Sequence, residues 1–130
     1  MILNFTIAFL VFMVIDLVWI GFIAAPFYRK HLGFLMAKKI NWIAAVMFYV
    51  IFIVGMVVFV IEPALAHGDI MIALRLGALY GLITYATYDL TNLATLEKWP
   101  IKMVIVDMAW GISLSVLVST ISFLVLNAFV

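Results

Sequence analysis

The chain has no cysteine among its 130 residues. That excludes a disulfide framework, a zinc–thiolate site, cysteine-ligated iron–sulfur clusters and a dithiol relay, and it leaves the redox compartment open. Charge is scarce too. Only 10% of the residues are Asp, Glu, Lys or Arg, and seven basic against six acidic side chains give a formal net charge of +1. So even a balance carries no electrostatic footprint for nucleic acid, and no nucleic-acid partner is expected. No Walker, Gly-rich nucleotide-binding or nucleophile-elbow string occurs, and the sequence assigns no cofactor.

What the sequence does have is apolar surface. Hydrophobic residues make up 70% of it, and mean hydropathy is +1.39. A soluble domain of this length has too little polar surface to cover so much, whereas in a bilayer lipid is itself the solvent. Four apolar runs, at about 2–28, 40–61, 70–96 and 101–128, are separated by short polar breaks. A spanning helix needs about 20 apolar residues. A membrane β-barrel would instead show alternating segments of about ten. The expectation is an all-α integral membrane protein: one domain over residues 1–130, with four transmembrane helices in a compact antiparallel bundle. Pro26, Pro63 and Pro100 are read as lying at run ends, with Glu62-Pro63 closing the second run. The first run has no Lys or Arg before Arg29, and Ala24-Ala25 is followed by Pro26. It is therefore expected to be a retained helix rather than a cleaved signal.

Orientation follows from the basic residues. Arg29, Lys30, Lys38, Lys39, Lys98 and Lys102 flank the first and third connectors, and only Arg75 lies toward the second. Basic connectors stay in the cytoplasm, so both termini are expected on the non-cytoplasmic side. Phe27, Tyr28, Trp42 and Trp99 are placed in an aromatic belt at the cytoplasmic interface.

Three acids lie well inside the apolar runs: Asp16, Asp89 and Asp107. Each costs about 2.5–3.5 kcal/mol to insert at a helix centre, so each needs a function or a partner. All three fall within roughly 15 Å of the helix ends that carry the basic connectors, at 1.5 Å rise per residue. Tyr85, Asp89 and Asn92 share one helix face, flanked by Tyr88. Trp19 follows Asp16 by one turn and Trp110 follows Asp107 by one turn. Asp16-x-x-Trp19-x-Gly21 is thus echoed by Asp107-x-x-Trp110-Gly111, a likeness that duplication or coincidence explains equally. The candidate site is Asp16, Trp19, Tyr85, Tyr88, Asp89, Asn92, Asp107 and Trp110, an aromatic-walled pocket in the cytoplasmic half of the membrane.

Three readings of these residues stand side by side: hydrogen bonding between helices, a ligand or ion pocket, and catalysis by paired carboxylates. Carboxylates and an amide suit a hard cation. His31 and His67 lie at opposite membrane faces, however, and no metal site is assigned. Three ionised carboxylates cannot share a low-dielectric site alone; a cation, a ligand or protons must compensate them. Gly77 and Gly81 are expected at a close helix contact, within the bundle or between two copies in a homodimer. Ser113, Ser115, Ser119, Thr120 and Ser122 are expected to bond their own i−4 carbonyls, spread around the helix rather than along one stripe. Glu62, Asp69 and Arg75 are read as solvated, or as a surface ion pair.

Several strings are familiar: Asp16-Leu-Val-Trp19, His31-Leu-Gly-Phe-Leu-Met36, Tyr85-Ala-Thr-Tyr-Asp-Leu-Thr-Asn-Leu-Ala-Thr95, Lys98-Trp-Pro100 and Asp107-Met-Ala-Trp-Gly111. Over nearly its whole length the chain resembles the small predicted bacterial membrane proteins catalogued as domain of unknown function 2177. The resemblance implies a bacterial inner-membrane protein and brings no activity, cofactor or catalytic residue. The leading functional expectation is binding or moving a small hydrophobic or cationic molecule, with the bilayer and such a molecule or lipid as partners. A lipid-modifying enzyme, an accessory subunit of one, and a purely structural subunit are the alternatives. A reporter fused after Val130 should read as periplasmic; a cytoplasmic reading would reverse the orientation.

Overall fold

A computed structural model of the chain describes residues 1–129, so Val130, the fusion point above, lies outside the described residues. The described residues form helices and no strand. Four helices are long and apolar enough to cross a membrane: α1 (Ile2–Leu32), α2 (Trp42–His67), α3 (Ile70–Thr95) and α4 (Ile101–Asn127). Short connectors make successive helices antiparallel.

Local chemistry sets the helix ends. The Asn41 side chain accepts a hydrogen bond from the Ala44 N–H at 3.1 Å and starts α2. Gly68, at φ 62°, takes the left-handed conformation that closes α2. Asp69, expected to be solvated or ion-paired, is exposed and also caps α3 by accepting from the Met71 N–H at 2.9 Å. Arg29, Lys30 and His31 occupy the last turn of α1, where positive charge complements the helix dipole.

Pro100 lies at a helix end as expected, just before α4, but Pro26 and Pro63 do not end their helices. α1 runs through Pro26 to Leu32, and α2 passes Glu62-Pro63 to reach His67. Each helix widens into one π-helical turn just before its proline, at Ile20–Ala24 and at Val57–Ile61. Proline offers no N–H, and its ring crowds the carbonyl four residues back. A π turn accommodates that mismatch without leaving a break, and a break would strand polar backbone groups in lipid. Glu62 lies on this continuous stretch, where its carboxylate accepts from Asn4 Nδ2 of α1 at 3.5 Å.

α4 is the central helix, with eleven buried residues along its length. α3 lies close against it along small residues. A Cβ on Gly81 would sit 2.5 Å from the Gly111 carbonyl oxygen and 2.8 Å from Ser115 Oγ, and one on Gly77 would sit 3.1 Å from Ser119 Oγ. The expected glycine contact therefore lies inside the bundle. Ser113 and Thr120 bond the carbonyls of Ala109 and Val116, as anticipated. Ser115, Ser119 and Ser122 do not follow that expectation. They are fully buried, without hydrogen-bond partners, and recur at i, i+4 and i+7 along one face. Their small volume lets the two backbones approach. The second half of α2 completes the core, where Phe52, Ile53, Met56, Val57, Val60 and Ile61 meet Ala8 and Phe12 of α1 and Leu114 and Val118 of α4. The first half of α2 is exposed, apart from the half-buried Ala45 and Tyr49.

The glycines separate by environment. Gly81→Leu should lower stability by about 1–3 kcal/mol, the usual cost of overpacking. Gly21→Ala, where an added Cβ meets nothing within 4 Å, should be neutral or slightly stabilising. Thermal unfolding in detergent reads both, and equal midpoints for the two variants would contradict this packing.

Candidate functional site

The site begins with two antiparallel neighbours, α1 and α4, each carrying Asp-x-x-Trp. Because the helices run in opposite directions, the two motifs interleave. The Trp19 and Trp110 rings stack with centroids 4.2 Å apart and planes 8° from parallel. Trp110 also lies within hydrogen-bonding reach of the Asp16 carboxyl. Asp16 and Asp107 are both buried. They line a small cavity of about 150 Å³ together with Phe12, Trp19, Ile20, Tyr28, Phe48, Tyr49, Tyr85 and Trp110.

A larger cavity of about 420 Å³ adjoins it, lined by Phe48 and Phe52 of α2, Thr84, Tyr85 and Tyr88 of α3, and Asp107 of α4. Phe48, Tyr85 and Asp107 belong to both cavities. Tyr85 reaches this position because its ring occupies the space where Gly111 has no side chain; a Cβ there would overlap the ring. The larger volume falls within the range of small-molecule sites, about 300–1,000 Å³.

Six of the eight expected residues line these cavities: Asp16, Trp19, Tyr85, Tyr88, Asp107 and Trp110. Asp89 and Asn92 line neither. Asp89 is fully buried, with its carboxyl against that of Asp107 and both oxygens lacking a hydrogen-bond donor. Asn92 neighbours Tyr88. Among the described residues no group of three or more His, Cys, Asp or Glu could hold a metal ion. Asp89 lies against Asp107, and Asp107 shares the smaller cavity with Asp16.

Tyr28 is the main residue that sequence reasoning missed. Placed at the interface in expectation, it turns inward, and its hydroxyl donates to Asp107 Oδ1 at 2.6 Å. The π turn explains the difference. In a regular α-helix Tyr28 would sit about 120° around from Asp16. One residue absorbed by a π turn rotates everything beyond it back by about 100°, which brings Tyr28 onto the Asp16 face. The Trp19 indole N–H is buried and unpartnered, with the Tyr28 hydroxyl beside it. Phe12, Phe48, Tyr49, Phe52 and Thr84 were also missed. Only Pro26 signalled any of this, through the irregular turn it forces before Tyr28.

All seven Lys and Arg side chains are exposed: Arg29, Lys30, Lys38, Lys39, Arg75, Lys98 and Lys102. None reaches the acids. Donors lining the site are the hydroxyls of Tyr28, Tyr49, Tyr85 and Tyr88 and the indoles of Trp19 and Trp110, all neutral. The arrangement is an apolar, aromatic enclosure in which carboxyls meet neutral donors and no basic side chain.

Tyr28→Phe should lower stability by about 1.5–3 kcal/mol, the range for a hydrogen bond to a charged group. Pro26→Ala removes the cause of the π turn; with every residue kept, a regular helix would place Tyr28 about 120° around from Asp16, so it should lose the same bond. Adding Tyr28→Phe to Pro26→Ala should then cost little more. Unfolding midpoints of the three variants check this; fully additive losses would mean that the π turn does not position Tyr28.

No curated protein and no solved structure matches the chain. A family model described as "Predicted membrane protein (DUF2177)" matches residues 1–124, and the chain belongs to that family.

Proposed function

We propose that the chain binds a small hydrophobic or cationic molecule in the carboxylate- and aromatic-lined cavities between its helices, and that it does so in the bacterial cytoplasmic membrane, in the inner-leaflet half. The observation that carries this reading is that Asp16 and Asp107 face cavity space while every Lys and Arg lies exposed elsewhere. Buried carboxylates without a protein cation attract one from outside. The aromatic walls suit the same guest, since Trp and Tyr faces attract cations and shield apolar bodies from competing contacts.

The Tyr28–Asp107 hydrogen bond favours a second reading, in which the acids serve only to join helices. The two differ in what an amide does. An amide still hydrogen-bonds, so Asp107→Asn leaves a purely structural role nearly intact, whereas it removes the charge a bound cation needs.

Tetraphenylphosphonium, a hydrophobic cation, should bind the purified protein in calorimetry. Asp107→Asn should weaken that binding at least about tenfold, equivalent to 1.4 kcal/mol, while the unfolding midpoint moves little. Absence of binding, or equal affinity in the Asn variant, would leave helix joining as the role of the acids.

A further inference from the structure

The larger cavity is a wedge with one closed end. At that end α2 and α3 touch: the Tyr80 hydroxyl donates to the Phe52 carbonyl at 2.7 Å, and a Cβ on Gly55 would sit 2.5 Å from Tyr80 Oη. From there toward the first and third connectors the helices diverge. Thr84 and Thr87 spend their hydroxyls on their own helix, bonding the carbonyls of Tyr80 and Ile83. Phe48 on one side and Tyr88 on the other are 49% and 54% exposed. The gap between them lies inside the membrane-spanning stretch of both helices, so it faces lipid rather than water.

The wedge also has a polarity gradient. Its mouth is formed by Phe48 and Tyr88, the buried Phe52 stands toward the closed end, and Asp107 forms its floor. Behind the floor stands Asp89, fully buried, against Asp107, with two oxygens that no donor reaches. A guest that complements this gradient carries donors and positive charge at one end and hydrocarbon at the other. An ammonium group offers N–H donors to the Asp107 carboxyl at the floor, and its positive charge is attracted to the faces of flanking tyrosines. Its tail can stay in the bilayer, where each buried methylene contributes about 0.8 kcal/mol.

From these features, and resting on the binding role proposed above, we infer that the guest is a membrane-dissolved amphiphile with a primary or secondary ammonium head, admitted sideways from the lipid between α2 and α3.

The absence of cysteine makes a direct test simple. Ala45→Cys and Thr91→Cys lie one turn beyond Phe48 and Tyr88 on the connector side of the mouth. In nanodiscs a long bis-maleimide would strap α2 to α3 across the gap, and N-ethylmaleimide would label the same thiols without bridging them. Dodecylamine should bind the N-ethylmaleimide-treated protein at least tenfold more tightly than neutral dodecanol. Strapping should slow its binding at least tenfold. Thr84→Trp, which fills the wedge from α3, should weaken dodecylamine binding independently of any cross-link. Undiminished rates after strapping, with normal binding in Thr84→Trp, would overturn lateral admission and leave the cavity role standing. Equal affinity for dodecanol would overturn the ammonium head. Failure of both dodecylamine and tetraphenylphosphonium to bind would overturn the underlying binding role itself.

Discussion

Three carboxyl groups buried in a membrane bundle, and no cation on the protein side to answer them, constrain everything else in this molecule. Each carboxyl costs free energy to bring into hydrocarbon, and that cost is offset by hydrogen bonds, by a proton, by other charges or by a guest. The bundle supplies part of the compensation. Tyr28 donates to Asp107, and Trp110 lies within reach of Asp16. Asp89 receives nothing of the kind. Placing all the Lys and Arg at the surface leaves the site with carboxyls and no positive charge of its own, and that imbalance defines what it can take.

Two structural devices hold the acids where they are. The first is the small-residue contact between α3 and α4, where Gly77 and Gly81 meet Ser115, Ser119 and the Gly111 backbone. It sets α3 close enough for Asp89 to lie against Asp107, and it leaves over Gly111 the space that the Tyr85 ring fills. The second is the pair of π turns ahead of Pro26 and Pro63. In α1 the turn brings Tyr28 round to the acids. Both devices use residues with little side chain or no N–H, so their effect comes from what they omit.

Much of this is legible in the sequence. Four runs of membrane-spanning length specify the helices, because a backbone in lipid must satisfy its own hydrogen bonds. The cost of burying an acid singles out Asp16, Asp89 and Asp107, and the shared Asp-x-x-Trp spacing marks Trp19 and Trp110, which stack. Gly77 and Gly81, four residues apart, announce a close contact. Other features are hidden for physical reasons. In α2 nearly every residue is apolar, so no periodicity distinguishes Phe48, Tyr49 and Phe52 from their lipid-facing neighbours. Tyr28 is out of phase with Asp16 in any regular helix, and only the irregular turn corrects it. Pro63 looks like a stop because proline usually is one in water; in lipid the helix widens and continues to His67. Ser115, Ser119 and Ser122 share a face by their i, i+4, i+7 spacing. That spacing does not say that a serine fills a close contact, as Ser115 and Ser119 do against the α3 glycines, rather than bonding a carbonyl.

The central claim is that the uncompensated acids are answered by a bound guest, and native mass spectrometry of protein extracted gently from its own membrane tests it most directly. The account predicts a retained basic amphiphile as a defined mass adduct on the wild-type chain, lost when Asp16, Asp89 and Asp107 are all replaced by Asn in a variant that still folds. A wild-type spectrum showing only the mass of the bare chain, under conditions that preserve other bound lipids, would contradict it.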